Sequence, residues 1–148
     1  MSRARFTDLE AAREHVAAFD PSTALPGEWT TTQVLQHCAQ SVEMSLDGFP
    51  QLEPAFVRAT VGKWVARRFL RRGHLGHDPS AAIPGAPTLD PELDAVAAKT
   101  RLLAAIDRFT DHAGPLAPHF VFGALDKTDF GRIHALHLSD HFADPGVQ

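Results

Sequence analysis

An all-α fold follows from three observations: a four-helix bundle whose long crossover segment carries an extra helix between the second and third bundle helices. Apolar residues recur at helical spacing almost throughout, with no convincing alternating strand pattern and no internal repeat. Capping signatures open several of the periodic stretches. The length, 148 residues, suits a single domain, 1–148, around one hydrophobic core.

The first helix is expected to start at Thr7. In "FTDLE", Thr7 stands as the cap and Glu10 three residues later completes a capping box, with Phe6 just before it. It runs to about Phe19 and stops before "DPSTALPG". The second helix has the clearest start. In "WTTTQV", Thr30 is the cap, Gln33 completes the box, and Trp29 and Val34 hold the positions of a hydrophobic staple. It ends near Asp47, with Gly48 past its end and Pro50 beyond. A third helical stretch spans Pro54 to Arg72 and is closed by Gly73. Residues 73–90 are rich in Gly and Pro and read as a long ordered loop. Asp90 and Pro91 are expected to open the next helix as cap and first position. That helix runs to about His112 with Val96, Leu103, Ile106 and Phe109 among its apolar positions. After the loop "GPLAPHFVFGAL", Asp126 caps a last helix that reaches about Phe142.

Composition sets the setting. Hydrophobic content of 44% and charged content of 22% are ordinary for a globular domain. No apolar run is long enough to span a bilayer, and the charged, amphipathic start does not read as a signal peptide. The single cysteine, Cys38, cannot form an internal disulfide, which fits a reducing cytoplasm. A net charge of −4 argues against nucleic acid as the main partner, because phosphate binding needs a broad basic surface. Neither nucleic acid nor a membrane is therefore expected as a partner.

The chemistry concentrates in "IHALHLSDHF", residues 133–142. On a helix of 100° per residue, Phe130, Ile133, His137 and His141 fall within one arc about 80° wide, and His134 lies at its edge. His137 and His141 thus sit on the stripe that faces the core. Buried imidazoles need partners. Their i, i+4 spacing lets both rings point at one ion, as in zinc helices. A third ligand must come from another element. His37 on the second helix shares a face with Val34, Ser41 and Met44, beside the stripe of Leu35, Cys38, Val42 and Leu46. His37, His137 and His141 are the candidate metal ligands, with His134 as third choice or outer partner. Three neutral imidazoles leave positions open for water or substrate. Against this stands the reading in which the histidines only satisfy one another at a helix interface. H-x-x-x-H alone is a weak signal; three inward histidines on two helices are a stronger one.

The stretch "WTTTQVLQHCAQSVEMSLDGFP", followed by "IPGAP", "PHFVFGAL" and "HALHLSDHF", resembles the DinB-like (DinB/YfiT) metalloprotein superfamily. It is more closely similar to an uncharacterised bacterial branch of it. The resemblance covers most of the chain and is strongest at residues 29–50, 83–87 and 115–142. It implies a four-helix bundle with a divalent metal near one end, held by a histidine of the second helix and the H-x-x-x-H of the last. Those positions are His37, His137 and His141. It also implies activities of the kind found in the superfamily: metal-dependent transferases using small thiols such as bacillithiol, mycothiol or glutathione, and some hydrolases and isomerases. Many members form dimers, so the partners the resemblance implies are a small-molecule substrate and a second copy in a homodimer. His134 and the "PHF" loop belong to this branch rather than to the superfamily as a whole.

The expected function is that of a divalent-metal protein acting as a small-thiol transferase or hydrolase. The alternative is a non-catalytic metal-binding or stress-associated bundle. An all-nitrogen site accepts Zn, Ni, Mn or Fe, so the metal is open. A low-molecular-weight thiol is the further candidate cofactor. His119, in "APHFVFG", is either a substrate contact or proton shuttle at the mouth of the site, or a surface histidine of a loop. Asp140 and Glu43 are either outer partners of the ligand imidazoles or solvent-facing carboxylates. His74 and His77 read as surface residues. Arg67, Arg68, Arg71 and Arg72 would hold an anionic substrate in one reading and form a solvated helix face in the favoured one. Cys38 reads as a small core residue. Trp64 would pack or line a pocket.

Overall fold

The computed structural model describes residues 6–75 and 81–142. His77 and the termini lie outside the described residues. The described residues form six helices: α1 (Leu9–Ala18), α2 (Thr31–Asp47), α3 (Ala55–Ala59), α4 (Val61–Arg72), α5 (Ala95–Asp111) and α6 (Lys127–His141). Among the described residues there is no strand, only a bridge between His119 and Gly123. Helices α1, α2, α5 and α6 form the bundle. Each of α1 and α2 packs against both α5 and α6, and α4 lies on α6. This is the expected architecture: four bundle helices plus a crossover that carries extra helix. No described helix is long and apolar enough to cross a membrane.

The helix starts follow local chemistry. Thr30 and Gln33 form the expected capping box: the Thr30 side chain accepts from the Gln33 amide, and the Gln33 side chain accepts from the Thr30 amide at 2.9 Å. Asp126 caps α6 by accepting from the Asp129 amide at 2.8 Å. Two starts differ from expectation. The cap of α1 is Asp8, not Thr7; its carboxylate accepts from the Ala11 amide at 2.8 Å, and a carboxylate also complements the helix dipole. The cap of α5 is Asp94, not Asp90. Asp90 instead heads a turn whose backbone is held at both ends by Gln36: the Gln36 amide donates to the Asp90 carbonyl at 2.7 Å and accepts from its N–H at 3.1 Å. That clamp uses the backbone groups that would otherwise join a helix, so Val96 falls in the exposed first turn rather than on the core stripe. Gly48 and Gly73 close α2 and α4 with positive φ, as expected.

The stretch 54–72 is two helices, not one. The chain breaks at Thr60, with φ −117° and ψ −89°. Two residues on, α4 meets a segment far away in sequence. A Cβ on Gly62 would sit 2.0 Å from the Val121 carbonyl oxygen, so α4 can approach the 119–123 turn only where no side chain exists. Gly62→Ala is therefore expected to destabilise the protein by roughly 2 kcal/mol or more, an overpacking cost. A urea midpoint equal to the parent's would show that α4 moves freely away from that turn.

The core is built from α1, α2, α5 and α6, with Val16, Val34, Leu35, Leu102, Ile106, Phe130 and Leu138 essentially buried. Cys38 is also fully buried, and burial pushes its thiol well above the ordinary range, which suits a small core residue and not a nucleophile. Outer charge pairs tie α5 to its neighbours: Arg13 with Asp107, Arg101 with Glu43 at 2.6 Å, and Arg108 with Asp47 at 2.5 Å. Glu43 is thus engaged with Arg101 on the bundle's flank. The Arg108 guanidinium holds the Asp47 carboxyl below the usual range. These pairs are solvent-accessible, so they order the surface more than they stabilise it.

Candidate metal centre

The helix periods that put His137 and His141 on the inner stripe of α6, and His37 on α2, bring their rings together. The Nε2 atoms of His37 and His137 are 3.0 Å apart, and those of His137 and His141 are 3.1 Å apart. Ring centroids lie 4.7–4.9 Å from one another at steep angles, so the rings converge edge to edge rather than stacking. His37 and His141 are buried, while His137 is half-buried. The three form a group whose candidate ligand atoms all lie within 4.8 Å, and among the described residues it is the one such group of His, Cys, Asp or Glu. Neutral imidazoles bind divalent ions at about 2.0–2.1 Å, which places neighbouring ligand nitrogens about 3.0–3.4 Å apart. The two closest pairs meet that spacing, and every ring offers the same atom. The donor set fits a divalent cation of borderline softness.

Trp29 covers the cluster. Its ring centroid is 5.0 Å from that of His37 and 6.4 Å from that of His141, nearly parallel to the latter. The sequence placed it as half of a staple; its contact with α6 came from tertiary packing. Asp140, half-buried on the last turn of α6, is not among the converging groups.

His134 is adjacent in sequence but turns elsewhere. It is 1% exposed, and its Nε2 lies 3.0 Å from the Ser45 hydroxyl of α2. Phe130 stacks on it at 4.9 Å and Phe109 meets it edge-on at 5.0 Å. Burial, with a smaller push from His119, drives its pKa down to about 3. His134 is therefore a neutral core imidazole outside the cluster.

His119 is not a surface residue of a loop. The turn that carries it is closed by paired His119 and Gly123 backbone bonds at 2.9 and 3.0 Å, and is docked by the Ala117 N–H on the Ser45 carbonyl and the Glu53 N–H on the Phe120 carbonyl. Its Nδ1 accepts from the Val121 and Phe122 amides, both at 3.1 Å. Its ring stacks on Phe122 at 4.2 Å and on Phe120 at 4.6 Å. Burial and then the Lys63 charge drive its pKa down to about 3.

A cavity of about 440 Å³ joins these parts. His37, His137, His134 and His119 all contribute to its wall, with Ser41 and a mostly apolar lining from α4, α6 and the 81–84 and 119–122 segments. Trp64 is exposed and does not line it. Arg67, Arg68, Arg71 and Arg72 are all exposed on the outer face of α4, with Arg68 over the Trp64 ring at 5.7 Å and Arg72 donating to the His74 and Leu75 carbonyls. They form a solvated face and do not reach the cavity, which rules out the anionic-substrate reading for that space.

One family model, described as a protein of unknown function (DUF1569), matches residues 1–144. No curated protein and no solved structure matches the chain.

Proposed function

The chain belongs to the DUF1569 family, and from that premise we propose a DinB-like metalloenzyme in which His37, His137 and His141 hold a divalent ion and the adjacent cavity takes a small-molecule substrate. The observation that carries this reading is the convergence of three imidazoles from two helices, two of which, His37 and His137, also line that cavity. The resemblance of the α2 and α6 stretches to DinB-like proteins supports it further. The reaction class proposed is metal-dependent hydrolysis or transfer of a small thiol, in a cytoplasmic setting.

A bound divalent ion would lower the pKa of a water or thiol ligand and so supply hydroxide or thiolate at neutral pH. The protein's own contribution is positional. The i, i+4 pair on α6 orients two rings through one rigid backbone turn, and α2 supplies the third. Trp29 shelters the back of His37 and His141 from solvent. Three protein ligands leave room for exchangeable ones, as a catalytic site requires. The carboxylates near the cluster are not assigned as general base.

The test is elemental analysis of protein purified without an affinity tag, beside a His137→Ala, His141→Ala double variant. About one ion per chain in the parent and none in the variant is expected. A metal-free parent that also takes up no ion on dialysis against zinc or manganese would overturn the proposal. A stoichiometric ion with no exchangeable water would turn it to a structural or sensing role.

A further inference from the structure

Among the described residues, the cavity wall carries no Asp, Glu, Lys or Arg. An ion placed in such a mostly apolar space without a counter-charge forfeits its hydration, at several kcal/mol. The α4 arginines lie on the outer face of their helix, and the Lys63 ammonium, near enough to lower the His119 pKa, is engaged with the Ala124 carbonyl. Among the described residues, the polar side chains of the wall are Ser41 and the histidines.

Two of those histidines have fixed tautomers. His119 Nδ1 accepts two backbone N–H groups, so it holds no proton, and the neutral ring carries its proton on Nε2. His119 is a donor. Ser45 Oγ stands 2.5 Å from the Val42 carbonyl, a spacing that requires its single proton to lie between them. Ser45 must then accept from His134 Nε2–H, which leaves the lone pair on His134 Nδ1. His134 is an acceptor. Neither ring can turn over easily. His119 is stacked on Phe120 and Phe122, His134 is stacked on Phe130 and met edge-on by Phe109, and Phe130 touches both. Burial keeps both rings neutral near pH 7, so the donor and acceptor roles persist there.

We propose that this cavity selects an uncharged, largely apolar ligand with an amide-like head, one that offers an acceptor to His119 Nε2–H and a donor to His134 Nδ1. A carboxylate or phosphate offers acceptors and a charge, and meets the His134 lone pair unfavourably. An ammonium meets the His119 N–H in the same unfavourable way. This deepens the metalloenzyme reading, on which it depends only for calling the ligand a substrate. Under that reading, the charged parts of a small thiol stay outside the cavity and the uncharged reactant occupies it.

The experiment compares naphthalene-2-carboxamide with 2-naphthoate by calorimetry, on full-length protein stripped with a chelator. Stripping removes the metal as a carboxylate ligand, and it makes the result independent of whether the three-histidine site holds an ion. The carboxamide is expected to bind at least about tenfold tighter than the carboxylate, as sites built from fixed hydrogen-bonding groups discriminate. His119→Phe and His134→Leu are each expected to reduce that preference. Imidazole ¹⁵N spectra of the parent provide a second readout that needs no variant: both rings are expected as the Nε2–H tautomer at about pH 7. Naphthoate binding as tightly as the carboxamide, no carboxamide binding below about 1 mM, or an Nδ1–H tautomer at either ring would overturn the inference. Carboxamide selectivity in a protein that never takes up metal would sustain the ligand class while removing the metalloenzyme.

Discussion

Chelator treatment is expected to lower the melting temperature of the protein by roughly 10 °C, and re-addition of the ion to restore it. An ion that binds only the folded state stabilises it in proportion to the logarithm of its concentration over Kd, about 4 kcal/mol at a thousandfold excess. For a chain of this length each kcal/mol is worth about 2–4 °C. The unfolded chain keeps an i, i+4 histidine pair but loses the helix that aims it, and His37 is then 100 residues from His137 along the chain. The stabilisation therefore needs the fold. The His137→Ala, His141→Ala variant should melt at one temperature with and without chelator, below the holo parent. A parent whose melting is indifferent to both chelator and added metal would leave the three imidazoles as a hydrogen-bonded helix interface.

Acid should destabilise the metal-stripped protein through His119 and His134. Burial lowers both folded-state pKa values to about 3, whereas an unfolded histidine titrates near 6.5. Between those values the unfolded chain binds more protons than the folded one, so stability rises with pH. Equivalently, stability is full above about pH 6.5 and falls as pH drops towards 3. At pH 5 the fully buried His134 alone should cost about 2 kcal/mol, and the half-buried His119 somewhat less. Urea midpoints at pH 7.5 and pH 5 measure this directly. His134→Gln keeps a donor for Ser45 but cannot titrate, so it should lose less stability than the parent over that interval. The metal-site histidines are common to both proteins and drop out of the comparison. Equal losses in parent and variant would mean that His134 is already protonated, or solvated, at pH 5.

These two predictions rest on opposite uses of one residue type. His137 and His134 are three positions apart on α6, yet one joins a converging nitrogen cluster and the other bonds to Ser45 between two phenyl rings. The helical wheel put His134 at the edge of the inner arc and could not say what it met. What it met depends on α2 presenting Ser45 two turns beyond His37, and on Phe109 arriving from α5. His119 shows the same limit. Its loop position made an exposed histidine and a site contact equally good readings, because no local pattern reports that Ser45 and Glu53 backbone groups dock the turn.

The sequence by itself determined the number and type of the main elements, since capping and helical periodicity are local: Thr30 with Gln33, Asp126, and the glycines that close α2 and α4 act within one turn of chain. For the same reason it determined that His137 and His141 share a face. Only the tertiary structure decided how closely His37 approaches them, how Trp29 covers them, that the 54–72 stretch divides at Thr60 with Gly62 against Val121, and that the described cavity wall is free of charged side chains. Each of these depends on contacts between residues far apart in the chain, and side-chain spacing along one helix carries no information about the surface that another element brings to it.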